Sequence, residues 1–459
     1  MTSVEVVGLS KHLQQALGAP LPDEAREHAA RHTLDTLAAA VSGSRLLPGT
    51  IGISYVRGRA HEGAGTTVVG TDVRVTADWS ALVNGMAAHA DETDDSHEGS
   101  WSHPGCAVVP AALASAELHD RTIGELLRGV AAGYDVGVRV MLAIGREHIG
   151  WWEPHVRNVM RSMWSTHAYT GVFGATAASA VLFGLDDRKV RFALSYAVQQ
   201  ASGFTTYIRD VNHIEKAYVF GGMPAHNGVA AALMVAAGFD GVEDPFTGTP
   251  GFLAALSPDP QPEALVDGLG ERYEVTRTNI KKFAVGSPAQ APVQALLDLT
   301  GGRAVAAEDV EQIVVRLPSD YAAVVDGRDM PDVNVQYLVA ASLLDGHCTF
   351  AAAHDMERFA DPEVRKVMDR VQLLADDAME TKRQAIVELR LRGEEPQQRH
   401  VEQVRGTVAD PMSRDEVVAK ARDLMEPVLG GERTTAVVDL LFGDDEGRVR
   451  ALCEALALG

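Results

Sequence analysis

Apolar positions recur along this chain with two different periods, and the change between them divides it. From Pro22 to Gly43, Leu34, Leu37, Ala38 and Val41 recur at helical spacing, with Pro and acids at the start and Gly at the end. That is the pattern of one helix. Similar Ala-rich stretches predict helices over Trp79–His89, Cys106–His119, Ile123–Ile144, Tyr169–Phe183, Val190–Ser202 and Pro224–Ala237, with a short strand near Thr66–Val69. The N-terminal half therefore reads as packed helices. After Gly270 the period shortens, and Tyr273–Thr278, Val310–Leu317 and Gln384–Leu391 carry alternating or β-branched runs suited to strands. Helices are predicted between them at Ala289–Leu299 and Val335–Leu344. Beyond Pro411 the helical period returns: Ser413 and Glu416 form a capping box, and a further helix runs to Leu458.

A chain of 459 residues exceeds one hydrophobic core, so two domains are expected. A net charge of −22 argues against nucleic acid, which needs clustered Lys and Arg. If the ligand is a small carboxylate, the chain must build a positive pocket against its own field, which singles out any Lys near acid–base residues. Cys106, Cys348 and Cys453 form no CxxC pair, which disfavours structural zinc and iron–sulfur clusters and fits a reducing compartment. The N-terminus lacks the basic and apolar regions of a signal peptide, and no run approaches the length of a membrane span. A cytoplasmic protein without a membrane partner is expected.

Nucleotide, dinucleotide, serine-hydrolase and zinc-protease motifs (GxxxxGK, GxGxxG, GxSxG, HExxH) are all missing. The densest chemistry lies between Asn84 and Pro110, where Asp91, Glu92, Asp94, Asp95 and Glu98 crowd around His89, His97 and His103. Carboxylates and imidazoles move protons near neutral pH, so a general acid or base is sought here first. The segment DETDDSHEGSWS is not a calcium loop, because Ser96 stands where Gly should turn the chain and Ser102 where a Glu should close it. His103-Pro104-Gly105 leads into a predicted helix. An imidazole and free backbone N–H groups could there face a substrate carboxylate together, or His103 could simply cap the turn.

These residues resemble the MmgE/PrpD family of carboxylic-acid dehydratases, decarboxylases and epimerases. The similarity rests on Asn84-Gly85, Ala88-His89, the acidic turn Glu92-Thr93-Asp94-Asp95, His103-Pro104 and the run Val108-Val109-Pro110-Ala111-Ala112-Leu113-Ala114. Further matches keep the family's order. STHAYTGVFGATAASA carries a pocket histidine onto His167, with Gly171 and Gly174 allowing backbone to approach whatever His167 faces. HIEKAYVFGGMPAHNG places the active-site lysine at Lys216, in a stretch from Phe192 to Glu271 whose only other Lys or Arg is Arg209. TNIKKFAVGSPAQ gives Lys281, with Lys282 turned to the other side and Ala284 replacing the usual Pro. NVQYLVAASLLDG matches the pocket tyrosine with Tyr337, for which a core aromatic is the alternative.

The resemblance implies a mainly α protein. A large helical domain of residues 1–269 and 408–459 and a smaller α+β lid of residues 270–407 would hold the active site in the cleft between them, and the periodicity draws the same partition. It further implies a homodimer, a small di- or tricarboxylate substrate, and no metal or organic cofactor. In the implied chemistry, Lys216 and Lys281 hold carboxylates, and His103 moves a proton at carbon. His167 assists or orients, Tyr337 donates a hydrogen bond, Glu92 holds His103 or a lysine, and Asp94 and Ser96 line the turn. A lyase leads. Epimerisation of a similar acid, a metal-dependent hydrolase built on His89, Asp91, His97 and His103, and a silent binding protein are the alternatives. Glu92 and Ser96 depart from the Asp and Thr of decarboxylase members, and Trp151, Trp152 and Trp164 suggest either a bulkier pocket or core and dimer contacts.

Overall fold

The computed structural model describes residues 2–59, 65–145, 164–380 and 383–458; Trp151 and Trp152 lie outside them. Two compact units result. The first comprises Met1–Ala90, Asp94–Asn279 and Arg414–Gly459, and the second comprises Asp91–Thr93 and Ile280–Ser413.

Among the described residues, the first unit is helical apart from the short antiparallel pair β1 (Thr66–Thr67) and β2 (Arg74–Val75). Its helices include Asp23–Gly43, Ala77–Ala88, Gly105–Leu118, Ile123–Ile144, Thr166–Leu182, Asp187–Gln200 and Met223–Ala236, within a few residues of the periodic runs. Local chemistry sets several starts. The Thr122 hydroxyl accepts from the Glu125 amide at 3.2 Å while the Glu125 carboxylate accepts from the Thr122 amide at 2.8 Å, a reciprocal cap. Gly133 and Gly174 let the long helix lie against its neighbour: a Cβ on Gly174 would stand 2.7 Å from the Gly133 carbonyl oxygen. Gly171 likewise faces the Pro224 and Ala107 side chains. Gly171 and Gly174 thus bring helix backbones and side chains close together. The C-terminal helices Arg414–Leu429, Gly431–Phe442 and Val449–Leu456 belong to this unit, tied in by Lys420 to Asp35 at 2.6 Å, both buried.

Residues Ile214–Ala236 form one helical stretch that changes pitch. Between Ile214–Ala217 and Met223–Ala236 the turn Tyr218–Gly222 is π-helical. Pro224 has no amide to give the Phe220 carbonyl, so the ladder widens just before it. The stretch is long and apolar enough to span a membrane, but 61% of its window is buried within the fold, as in a core helix. Its π turn presses on helix Ala77–Ala88, where a Cβ on Gly221 would stand 2.1 Å from the Gly85 carbonyl oxygen. Gly221→Ala should therefore force the two backbones apart and cost about 1–3 kcal/mol. Thermal unfolding checks this against Gly58→Ala, a site where an added Cβ meets nothing within 4 Å.

The second unit is α+β. Its sheet runs in the order β4-β3-β5-β6, with β3 (Val310–Pro318), β4 (Val371–Asp376), β5 (Ala385–Leu391) and β6 (Gln397–Val401). β3 is parallel to β4 and antiparallel to β5. A bulge between Val310 and Gln312 rephases β3, so that Val310 and then Ile313, Val315 and Leu317 all face inward. Helices Gln290–Thr300 and Val335–Asp345 complete this core with Val293, Leu296, Leu338 and Leu343.

One expected strand is absent. Tyr273–Thr278 forms a 3-10 turn, Glu274–Arg277, because Glu274 is buried and its polar partners need a bend: the Glu274 amide donates to Asp135 at 2.6 Å and the Thr278 hydroxyl donates to the Glu274 carbonyl at 2.8 Å. Trp164 stacks on Tyr169, with ring centroids 4.8 Å apart, beside the core of the first unit, in line with the core reading.

Candidate active site

Helix Ala77–Ala88 ends by presenting His89 at its C-cap, fully buried. The chain then lends Asp91–Thr93 to the second unit and returns at Asp94. The Asp94 carboxylate accepts from His89 Nδ1 through Oδ2 at 2.9 Å and from His103 Nδ1 through Oδ1 at 3.2 Å. A carboxylate can only accept, so both rings carry a proton on Nδ1 and turn Nε2 away from it. Burial alone would raise the Asp94 pKa, but the charges and hydrogen bonds of His89 and His103 hold its carboxyl well below the usual range. His89 Nε2 is buried with no hydrogen-bond partner among the described residues.

His103 is set from both sides. Before it, residues 97–102 close on themselves through the His97 amide to the Ser102 carbonyl (2.8 Å) and the Ser102 amide back to the His97 carbonyl (3.2 Å). After it, the Gly105 amide donates to Asp95 Oδ1 at 3.0 Å, while Asp95 Oδ2 takes the Tyr134 hydroxyl at 2.5 Å and His32 Nδ1 at 2.9 Å. The expectation that helix-start amides face a substrate carboxylate thus fails at Gly105, whose N–H serves Asp95. Ser96 lies buried and exchanges backbone hydrogen bonds with Asn279 at 3.0 and 2.8 Å.

His167, near the start of helix Thr166–Leu182, brings its ring 5.1 Å from that of His103. Burial, then the nearby charges of His103, His89 and Lys216, push its pKa well below that of free histidine, so it is neutral near pH 7. Its Nδ1 has no hydrogen-bond partner among the described residues. Phe220, on the π turn, is the hub. It stacks on His167 (3.7 Å between centroids, 14° between planes) and on His89 (4.3 Å, 21°), and it takes Lys216 Nζ at 5.3 Å from its ring centre. The His213 ring stands 5.2 Å from that of His89. Sequence reasoning missed Phe220 and His213; the aromatic before Gly221-Gly222 was the available signal.

The structure thus brings His89, Asp94, His103, His167 and Lys216 together on the first unit. Asp94 clamps two imidazoles instead of merely lining the turn. In the second unit, Lys281 Nζ donates to the Glu92 carbonyl at 2.6 Å and stands 3.7 Å from its carboxylate. Tyr337 is buried in the core of that unit, its hydroxyl donating to the Ala352 carbonyl at 2.5 Å and its ring edge-on to Phe359. Burial pushes its pKa up to about 12.

Two of the residues weighed as ligands of a metal hydrolase have partners within the protein. Asp91 pairs with His354, while His97 takes the Ser100 amide on Nδ1 and places Nε2 3.5 Å from Glu274. Burial would raise Glu274, yet bonds from His97 and Arg272 hold it at about 2. His89, Asp94 and Cys106 come close enough to share a metal, but Asp94 is taken up by the two histidines and Cys106 Sγ donates to the His103 carbonyl at 3.2 Å.

Residues 8–265 match the model of the MmgE/PrpD N-terminal domain. The chain belongs to the MmgE/PrpD family. Residues 283–443 match the family's C-terminal domain, so both of its parts are present. MmgE/PrpD relatives include the cis-aconitate decarboxylase of Homo sapiens, 26% identical over 77% of this chain and 73% of that protein. The cis-aconitate decarboxylase of Mus musculus is 26% identical over 66% and 62%, and the cis-aconitate decarboxylase-like protein oryM of Aspergillus oryzae is 25% identical over 50% and 48%. With these relatives, MmgE/PrpD membership makes the chain an enzyme of the lyase type.

Proposed function

We propose that the protein decarboxylates or dehydrates a di- or tricarboxylic acid by moving a proton at the carbon next to a carboxylate, without a metal or organic cofactor. The observation that carries this reading is the buried carboxylate of Asp94 orienting His89 and His103 beside the Lys216 ammonium. In a decarboxylation the bond from carbon to carboxylate breaks, carbon dioxide leaves, and the electron pair stays on carbon as an anion conjugated with a neighbouring carboxylate. His103 then delivers a proton from Nε2 to that carbon and is reprotonated from solvent. In a dehydration His103 instead removes the proton from carbon, the electron pair forms the double bond, the carbon–oxygen bond breaks, and the departing hydroxide takes a proton from the Lys216 ammonium to leave as water; the Lys216 amine is then reprotonated from solvent. Lys216 and Lys281 are assigned to the carboxylates and the developing negative charge. Neutral His167 donates or accepts a hydrogen bond at the reacting group. Asp94 positions the imidazoles, Glu92 holds Lys281, and Ser96 shapes the turn. Tyr337 is assigned a supporting hydrogen bond from the core of its unit.

Epimerisation is the second reading, favoured by the 5.1 Å approach of the His103 and His167 rings, which could act as paired acid and base. Cis-aconitate, citrate-like acids and amino-dicarboxylates should be screened in deuterium oxide for carbon dioxide release, loss of water and exchange at carbon. Release or dehydration selects the lyase; exchange without either selects the epimerase. Lys216→Met and Lys281→Met should each raise KM for the substrate found by about 10- to 100-fold, the worth of a hydrogen bond to a charged group. An unchanged KM in both would remove the carboxylate assignment.

The protein is further inferred to be a cytoplasmic homodimer. Exposed Leu47, Ile51, Tyr55 and Tyr218, the last three lining a cavity of about 610 Å³, support a partner surface on the first unit. Sedimentation of the purified chain tests the dimer.

A further inference from the structure

Between Ala90 and Asp94 the chain leaves the first unit for only three residues, Asp91–Thr93, and those three belong to the second. Such a short excursion, lying between His89 and Asp94, must be held firmly if the two are to keep their geometry, since consecutive Cα atoms are only about 3.8 Å apart. The segment first folds on itself: the Thr93 amide donates to Asp91 Oδ1 at 3.0 Å and the Thr93 hydroxyl to Asp91 Oδ2 at 2.5 Å. Two cations of the second unit then grip it. Lys281 takes the Glu92 carbonyl, and His354 Nε2 stands 2.9 Å from Asp91 Oδ2.

We propose that His354 is a positioning residue for the histidine site, clamping Asp91–Thr93 through Asp91 and so fixing where the chain re-emerges at Asp94. The other ring nitrogen supports this, because His354 Nδ1 meets the Phe350 carbonyl at 2.8 Å. The Phe350 carbonyl only accepts, so Nδ1 carries a proton and Nε2 is the nitrogen left to face Asp91, where a second proton makes the ring an imidazolium paired with that carboxylate. The charged groups facing it among the described residues are Asp91 and, at 3.9 Å, Asp332. Burial would lower its pKa, but Asp91 and Asp332 raise it to about 9. A raised pKa means that the clamp is at full strength below the free-histidine value and is lost as pH climbs through about 9. Nothing around His354 in the sequence, FAAAHDMERF, announces the role.

The effect on turnover rests on the acid–base reading given above; the effect on the segment does not. Hydrogen exchange of the full-length protein, wild type against His354→Ala and His354→Gln, separates the two. In His354→Ala the amides of residues 91–96 should exchange about 10-fold faster or more, while helix Val335–Asp345 keeps its protection. His354→Gln, which can still donate to Asp91, should recover part of that protection near pH 7. Wild-type protection should fall as pH passes about 9, and the Gln variant should show no such step. On the substrate found, kcat of His354→Ala should fall about 10- to 100-fold at nearly constant KM. Unchanged exchange at residues 91–96, or loosening spread equally through Val335–Asp345, would overturn the clamp. Faster local exchange in a protein that turns over no acid would leave the clamp standing and defeat the lyase mechanism instead.

Discussion

His103→Ala should lower kcat by about 10³-fold, within the range that a positioned general acid or base contributes. The side chain is largely buried, donates a hydrogen bond to Asp94, and lies tilted against Phe220 with ring centroids 5.7 Å apart. Truncation removes the one imidazole that is both held by Asp94 and next to His167. The loss belongs in kcat, because Lys216 and Lys281, to which the carboxylates are assigned in the proposed mechanism, stay in place. Circular dichroism and thermal unfolding should show a folded protein, and steady-state kinetics the rate loss. A variant with more than a tenth of wild-type kcat would remove His103 from the proton transfer.

Asp94→Asn should cost about 10²- to 10³-fold in kcat without touching the atoms that meet substrate. A carboxylate offers acceptors to both His89 and His103, whereas an amide offers one oxygen and one donating nitrogen, so one ring must flip or lose its partner. Stability should respond as well. The folded pKa of Asp94 is depressed, so its contribution is present above the free-carboxylate value near 4 and is lost as pH falls towards and below it. Denaturant melts from pH 7 down to 3 should therefore show a smaller acid-dependent loss in Asp94→Asn than in the wild type. Equal slopes would mean that Asp94 does not carry the charge ascribed to it.

The helices were legible because burying one face of a helix demands apolar residues every three or four positions, and Ile123–Ile144 emerges with the bounds its pattern predicted. Tyr273–Thr278 was misread because short alternation in a β-branched run also occurs where a buried Glu274 bends the chain around its polar partners. The chemistry of the acidic turn was legible by residue type, but its wiring was not. Asp94 and Glu92 are two positions apart, yet one faces two histidines and the other pairs with Lys281, 189 residues on. No local pattern encodes that division. Phe220 and His354 were hidden for the same reason: an apolar ring and a lone histidine acquire their roles only from partners far along the chain.

The central claim is that an Asp94-oriented His103 protonates or deprotonates carbon in a lyase reaction on a carboxylic acid. Nuclear magnetic resonance of wild type and His103→Ala with the acid panel in deuterium oxide tests it most directly. The account predicts that the wild type releases carbon dioxide or water from at least one acid. A decarboxylated product should carry one deuterium at the vacated carbon, and the rate should fall about 10³-fold in the variant. Turnover that survives unchanged in His103→Ala, or no carbon dioxide, water or deuterium change with any acid in the wild type, would contradict it.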